Sequence, residues 1–126
     1  MGKKYLIDTN VIIDLSVGKL PADALKLLAN IIDATPQISI VNKIELLSLK
    51  NVSPQIESFV DNAFVFPLDN DVADKTIELR KNHKIKLPDA VIAATALIQN
   101  LILITHNISD FQNIRGLKVI DSHLLK

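Results

Sequence analysis

The chain has 126 residues, of which 48% are hydrophobic and 22% charged, and its formal net charge is zero. This composition predicts one globular domain spanning residues 1–126, excludes a disordered chain, and leaves nucleic-acid binding to local basic patches. The lack of cysteine excludes disulfides, thiolate zinc sites and a thiol nucleophile. With no signal sequence and no apolar run long enough to span a bilayer, we expect a cytoplasmic protein without membrane contact.

Short apolar runs alternate with segments of helical spacing along the whole chain. The predicted strands are residues 5–7, 38–41, 64–66, 101–105 and 117–121. The predicted helices are residues 11–16, a helix begun by Pro21, one capped by Asn42, one begun by Ser53 and Pro54, one from Asp69 or Asn70 to about His83, and one opened by Pro88. Alternation of strands with helices along the chain favours an α/β fold, with a parallel sheet covered by helices on both faces.

Four carboxylates stand out by their position relative to these elements. Asp8 ends the first strand, Glu45 lies in the first turn of the helix after the second, and Asp110 follows the fourth. Because carboxyl ends of parallel strands share one edge with the helices that follow, these three side chains are predicted to line one pocket. Asp89, in the first turn of the helix opened by Pro88, precedes its strand, so topology alone does not place it there.

Each acid also has a purely structural interpretation. Asp8 and Asp110 suit turns or helix caps, Glu45 lies three residues after Asn42 as in a capping box, and Asp89 suits the helix dipole. Several carboxylates brought together repel one another unless a cation joins them. Oxygen ligands without cysteine or well-spaced histidine favour Mg²⁺ or Mn²⁺ over zinc.

Four segments carrying these acids resemble the successive motifs of PIN-domain ribonucleases, and most of all the VapC-type toxins of prokaryotic toxin–antitoxin pairs. The similar segments are Leu6–Asn10, Glu45–Leu46, Leu87–Ala96 and Thr105–Phe111. The resemblance covers the whole chain in order. It implies a PIN-like three-layer α/β/α sandwich with a central, mostly parallel sheet of four to five strands.

The resemblance also implies an activity, which is metal-dependent endonucleolytic cleavage of RNA with Mg²⁺ or Mn²⁺ as cofactor. Asp8, Glu45 and Asp89 match the metal-binding acids of the family. The fourth charge must come from Asp110, because the earlier acidic position is Asn107 here, so one or two metal ions remain open. Asn10, Thr105 and Asn107 match polar positions that support the pocket. The implied partners are RNA, a cognate antitoxin protein and a second copy of the chain in a homodimer.

Basic residues near the acids have two interpretations. Arg80, Lys81, Lys84 and Lys86 precede Asp89, where they could hold RNA phosphates or form an ordinary solvated helix end. His106 could contact RNA or transfer a proton, or be an exposed loop residue. His83 and His123 belong to no motif.

Two other functions remain compatible with the sequence. The first is a catalytically silent PIN-like binding module whose acids serve only as caps. The second is a receiver-type phosphoacceptor domain, which would need an aspartate at the end of the third strand and a lysine at the end of the fifth. Asp69 and Lys118 are the residues nearest to those positions.

Overall fold

Five short strands form the middle layer of the structure, which is a computed structural model describing residues 4–33 and 35–124. The strands are β1 (Tyr5–Ile7), β2 (Gln37–Ser39), β3 (Phe64–Phe66), β4 (Ile102–Thr105) and β5 (Val119–Asp121). The helices are α1 (Thr9–Ser16), α2 (Ala22–Asp33), α3 (Ile40–Leu47), α4 (Pro54–Asn62), α5 (Asn70–Asn82) and α6 (Leu87–Gln99), with 3₁₀ turns at Ile108–Phe111 and Ser122–Leu124. The predicted alternation of strand and helix is confirmed.

All strand pairs are parallel, as predicted, but they fall into two hydrogen-bonded groups. One group has the order β1-β4-β5, and the other consists of β2 and β3. Between the groups, the Gln37 side-chain amide donates to the Tyr5 carbonyl oxygen at 3.5 Å, where a continuous sheet would have backbone bonds. The parallel pairing puts the carboxyl ends of β1 and β4 at the same edge.

The second strand ends earlier than the sequence indicated, and Asn42 is not the helix cap. Ser39 is the N-cap of α3, and its Oγ accepts from the Asn42 backbone N–H at 3.2 Å. The Asn42 Oδ1 in turn accepts from the Ser39 backbone N–H at 2.9 Å, which completes a capping box. The prediction was wrong because Ile40 and Val41 continue the apolar run, and apolar character does not separate a strand from a buried first helical turn.

The core lies on both faces of the sheet, which confirms the three layers. Leu6 and Leu103 face the cluster under α5 and α6, whereas Ile7 and Ile104 face the cluster under α1 to α4. This alternation follows from the period of two along a strand. Helix α6 is buried through Ala90–Ala96, so it lies firmly against the sheet. Within the described parts of the chain, no helix combines the length and apolar character that crossing a membrane requires.

Candidate active site

Asp8 lies at the junction of β1 and α1, where its backbone makes it the N-cap of the helix. Its Oδ1 accepts from the Thr9 backbone N–H at 2.8 Å and from the Asn42 Nδ2 at 3.3 Å. Its Oδ2 accepts from the Thr105 hydroxyl at 2.8 Å and from the Asn10 Nδ2 at 3.2 Å. Four donors from three elements therefore hold this buried carboxylate in one orientation.

The environment of Asp8 opposes its charge despite these hydrogen bonds. Burial is the largest influence and raises the pKa of Asp8, and the nearby charge of Glu45 raises it further. Hydrogen bonds from Thr105, Thr9 and Asn42 lower the pKa, but burial outweighs them. The carboxylate is thus oriented yet short of positive charge.

Glu45 is tied to Asp8 through Thr9, a link that the sequence analysis missed. The Thr9 hydroxyl donates to Glu45 Oε1 at 2.6 Å and accepts from the Asn42 Nδ2 at 3.0 Å. Asn42 precedes Glu45 by three residues and therefore lies on the same face of α3. The spacing of Asn42 and Glu45 is the local signal for this link, but the same spacing also predicts a capping box.

Asp89 lies in the first turn of α6, and its pKa is affected by the charges of the other three acids. The pKa of Asp89 is raised to about 6, first by burial and then by the negative charges of Asp110, Asp8 and Glu45 in that order. Lys86 lowers this pKa but does not offset the acids. The structure therefore brings the three other predicted acids within electrostatic reach of Asp89, including Asp110, which makes no hydrogen bond to the Asp8 network.

The chemistry of this set fits a hard divalent cation. All the candidate ligands are carboxylate oxygens, and their mutual repulsion would be relieved by a bound positive charge. Within residues 4–33 and 35–124, no three acidic or histidine side chains already converge as they would around one ion. Hydrogen bonds hold Asp8 and Glu45 in place, whereas Asp110 is exposed.

The predicted supporting residues surround Thr105, whose side chain is fully buried. The Thr105 Oγ1 accepts from the Asn107 backbone N–H at 3.1 Å and from the Asn10 Nδ2 at 3.4 Å. The Asn10 Oδ1 accepts from the His106 backbone N–H at 3.1 Å. Asn107 thus contributes its backbone here, and its exposed side chain forms no cap on the turn that follows.

The predicted basic residues divide into two pairs. Arg80 and Lys81 lie exposed in the last turn of α5, where they match the helix dipole. Lys84 and Lys86 lie exposed in the connector between α5 and α6, and the charge of Lys86 reaches Asp89. Contact of any of these residues with RNA stays a prediction.

His106 and His123 form a second polar cluster that sequence reasoning missed. Their rings stack with centroids 3.7 Å apart, His106 Nδ1 lies 3.1 Å from Asp121 Oδ1, and His123 Nε2 lies 3.1 Å from Asp14 Oδ2. Burial would raise the pKa of Asp121, but the His123 backbone N–H and the His106 ring outweigh burial and lower it. No local pattern marks His123, because its partner Asp14 lies 109 residues away.

The receiver-type alternative does not agree with this arrangement. Asp69 does not end β3, because it caps α5 and its carboxylate accepts from the Val72 backbone N–H at 2.9 Å. Lys118 precedes β5 instead of following it. The acids instead meet around the ends of β1 and β4, the second turn of α3 and the first turn of α6. The predicted first-turn position of Glu45 is wrong, because Ser39 caps α3 and the helix begins at Ile40.

Comparison with known proteins agrees with the fold. The sequence profile of the PIN domain matches residues 5–117. A toxin–antitoxin complex from Klebsiella pneumoniae is 30% identical, covers 94% of this chain and 98% of its own, and superposes with a TM-score of 0.72. DNA-bound VapBC from Salmonella typhimurium is 25% identical over 96% of this chain and 99% of its own, with a TM-score of 0.76. VapBC-1 from nontypeable Haemophilus influenzae is 26% identical over 94% and 97%, with a TM-score of 0.74. No match was found among curated proteins.

Proposed function

The chain belongs to the PIN domain family, whose members are nucleases, and we propose that it is an endoribonuclease acting as the toxin of a type II toxin–antitoxin pair. The similar structures from Klebsiella and Salmonella are complexes of a toxin with its antitoxin, which supports a protein partner for this chain. The proposed substrate is RNA, and the proposed cofactor is Mg²⁺ or Mn²⁺. A homodimer, with the helices between residues 20 and 63 supplying an apolar face, is part of the same proposal.

One observation supports a nuclease above a silent binding module. The pKa of Asp89 is raised to about 6 by burial and by three other acids, so the fold keeps like charges together. A helix cap or a dipole-matching acid needs no such neighbours, and the repulsion makes the arrangement costly on structural grounds alone. An enzyme that hydrolyses phosphodiesters with a divalent cation needs such a cluster of acids, because they bind the cation.

The roles of the side chains follow from their contacts. Asp8, Glu45, Asp89 and Asp110 would hold the cation, which when bound neutralises charge on the phosphate and activates the attacking water. Thr105 and Asn10 hold the Asp8 carboxylate in place through its Oδ2. The Thr9 hydroxyl donates a hydrogen bond to Glu45 Oε1 and holds that carboxylate in place. These neutral donors orient the acids without reducing the negative charge that attracts a cation.

The direct test is cleavage of a labelled single-stranded RNA by the purified full chain with MnCl₂. We expect Asp89→Asn and Asp8→Asn to lose cleavage by more than about 100-fold, since each removes an acid that would hold the metal. Asp71→Asn is the matched control, because Asp71 is also a first-turn helix acid but lies in α5. Equal cleavage by Asp89→Asn and Asp71→Asn contradicts the nuclease proposal.

Binding measurements separate the nuclease from the silent module. A thermal shift with MnCl₂ in the unaltered chain and in Asp71→Asn, absent from Asp89→Asn, supports a metal-dependent enzyme. RNA binding with neither cleavage nor a metal-dependent shift favours the silent module. The toxin assignment is tested by co-expressing the small protein encoded next to this chain's gene, which should block cleavage.

A further inference from the structure

A cleft beside the four acids lies between the connector 83–85 and the segment 109–114. Its volume is about 280 Å³, and its rim is mainly polar. Lys84 of the connector lines the cleft, and so do Gln112 and Asn113 of the segment 109–114. All three side chains are exposed, and Ile114 on the cleft wall is buried. We refer to this region as the amide cleft.

The amide cleft adjoins the acids through Asp110. This residue lines the cleft, and among the charged neighbours of Asp89 it raises the pKa of that residue most. A ligand with one phosphate at the acids would therefore extend past Asp110 into the cleft. Because RNA carries phosphates at each nucleotide step, its next nucleotide is the group that arrives there.

The side chains of the cleft suit a nucleotide. Lys84 offers a cation for a phosphate, and the two amides can both donate and accept hydrogen bonds, as the edges of bases require. Exposed bases of single-stranded RNA are recognised in this way along their Watson–Crick edges. Asn113 has φ +65°, a left-handed conformation that asparagine tolerates better than most residues and that directs the backbone at this turn.

We propose that the amide cleft binds the nucleotide next to the cleaved phosphate, with Lys84 on a phosphate and with Gln112 and Asn113 hydrogen-bonded to the base. The assignment rests on the proposed ribonuclease function, which it deepens by placing a base-selective contact beside the acids. It makes the enzyme selective for the base at one position flanking the cut.

The chain contains a matched control for this proposal. Gln99 and Asn100 repeat the Gln–Asn pair, both are exposed, and Asn100 also has a positive φ, of 56°. Gln99 ends α6 and Asn100 is its C-cap, at the opposite edge of the sheet from the acids. The test variant is Gln112→Ala with Asn113→Gly, and the control is Gln99→Ala with Asn100→Gly. Glycine keeps the left-handed turn in both variants.

The experiment measures binding of fluorescent single-stranded oligoribonucleotides by anisotropy, with Asp89→Asn in every protein to prevent cleavage. The oligonucleotides differ in one base at each position in turn. We expect the test variant to bind about 10-fold more weakly and to lose its base preference, since two hydrogen bonds are removed. The control should stay within about 2-fold, which is the scale of a surface change. Lys84→Ala should weaken binding for every sequence and reduce the salt dependence, by about 0.7 in the logarithmic slope for one contact.

Four results overturn the assignment: no RNA binding by the parent, equal losses in the test and control variants, an unchanged base preference in the test variant, or a Lys84→Ala variant that binds like its parent. If the test variant binds an antitoxin peptide normally but loses RNA binding, the cleft binds RNA and not the antitoxin, which supports the assignment. RNA binding that depends on the cleft, in a chain that never cleaves RNA, defeats the nuclease proposal but supports the cleft as a base-selective contact with RNA. If the test variant, with Asp89 restored, still cleaves RNA with an unchanged base preference, the nuclease proposal stands and the cleft assignment is wrong.

Discussion

Thr105→Val tests how much the orientation of Asp8 depends on a single hydroxyl. Thr105 is fully buried, and its Oγ1 donates to Asp8 Oδ2 at 2.8 Å, the shortest side-chain bond to that carboxylate. Valine has nearly the same shape, so the substitution removes the hydrogen bond without opening a cavity. A hydrogen bond to a charged group contributes about 1.5–3 kcal/mol, and the exposed loop at Asn107 can replace its lost acceptor with water. We therefore expect the free energy of unfolding to fall by about 2–3 kcal/mol.

Thr95→Val is the matched control for this prediction. Thr95 is also buried, but its hydroxyl donates to the Val91 carbonyl oxygen at 2.8 Å, four residues earlier in α6. Because that carbonyl already serves the helix and no charge is involved, we expect a change of less than about 1 kcal/mol. Urea unfolding in EDTA measures both variants. Equal losses in Thr105→Val and Thr95→Val would refute the reasoning.

The pH dependence of Thr105→Val gives a second, independent check. The pKa of Asp8 lies above its ordinary value, so folding favours the protonated acid, and the cost of its charge is complete only above the folded pKa. The Thr105 hydrogen bond lowers that pKa, so its removal raises the pKa further. We expect the stability difference between the variant and the unaltered chain to be larger at about pH 8 than at about pH 4. A difference that does not grow with pH contradicts this account.

The remaining predictions concern Asp89 and the cluster of His106 and His123. Asp89→Asn should raise the free energy of unfolding in EDTA by about 1 kcal/mol above pH 7, because the Asp89 carboxylate, with its pKa of about 6, is charged there. The substitution should have little effect below pH 4, where the carboxyl group is protonated. The figure of about 1 kcal/mol allows for solvent screening at a half-exposed group. Urea unfolding at the two pH values checks this, and a gain independent of pH would count against the raised pKa. His123→Ala should lower the free energy of unfolding by about 1–2 kcal/mol, because the variant loses the stacking on His106 and the bond to Asp14. His83→Ala is the control, because the His83 ring makes no hydrogen bond within the described residues, and an equal loss in both variants would contradict the role of the cluster.

Much of the fold was readable from the sequence because its signals are local. Ser53 and Pro54 begin α4, with the Ser53 hydroxyl accepting from the Ile56 backbone N–H, as the capping preferences predict. Asp69 caps α5, which settles the alternative with Asn70. The boundary between β2 and α3 was wrong because Ser39 and Asn42 stabilise each other across the first turn, within a run whose apolar pattern is ambiguous.

The acids of the candidate site were identifiable because Asp8 and Asp110 follow strands, Glu45 lies in the helix after a strand and Asp89 lies in the first turn of a helix. Parallel strands end at a common edge, so such residues are expected to lie near one another. The connections between these acids were not identifiable. Thr9 links Glu45 to the Asn42 amide across 33 to 36 residues, and the sequence contains nothing that marks which neutral side chain will bridge two segments.

The sequence by itself determined the alternation of strands and helices, the types of residue at the carboxyl edge and the membership of the chain in a family. Only the tertiary structure decided that Asp89 lies among the other acids, and that His123 stacks on His106 while it binds Asp14. The physical reason is distance along the chain. Hydrophobic period and capping act over a few residues, whereas charge, burial and side-chain hydrogen bonds act between segments that meet only when the whole sheet has formed.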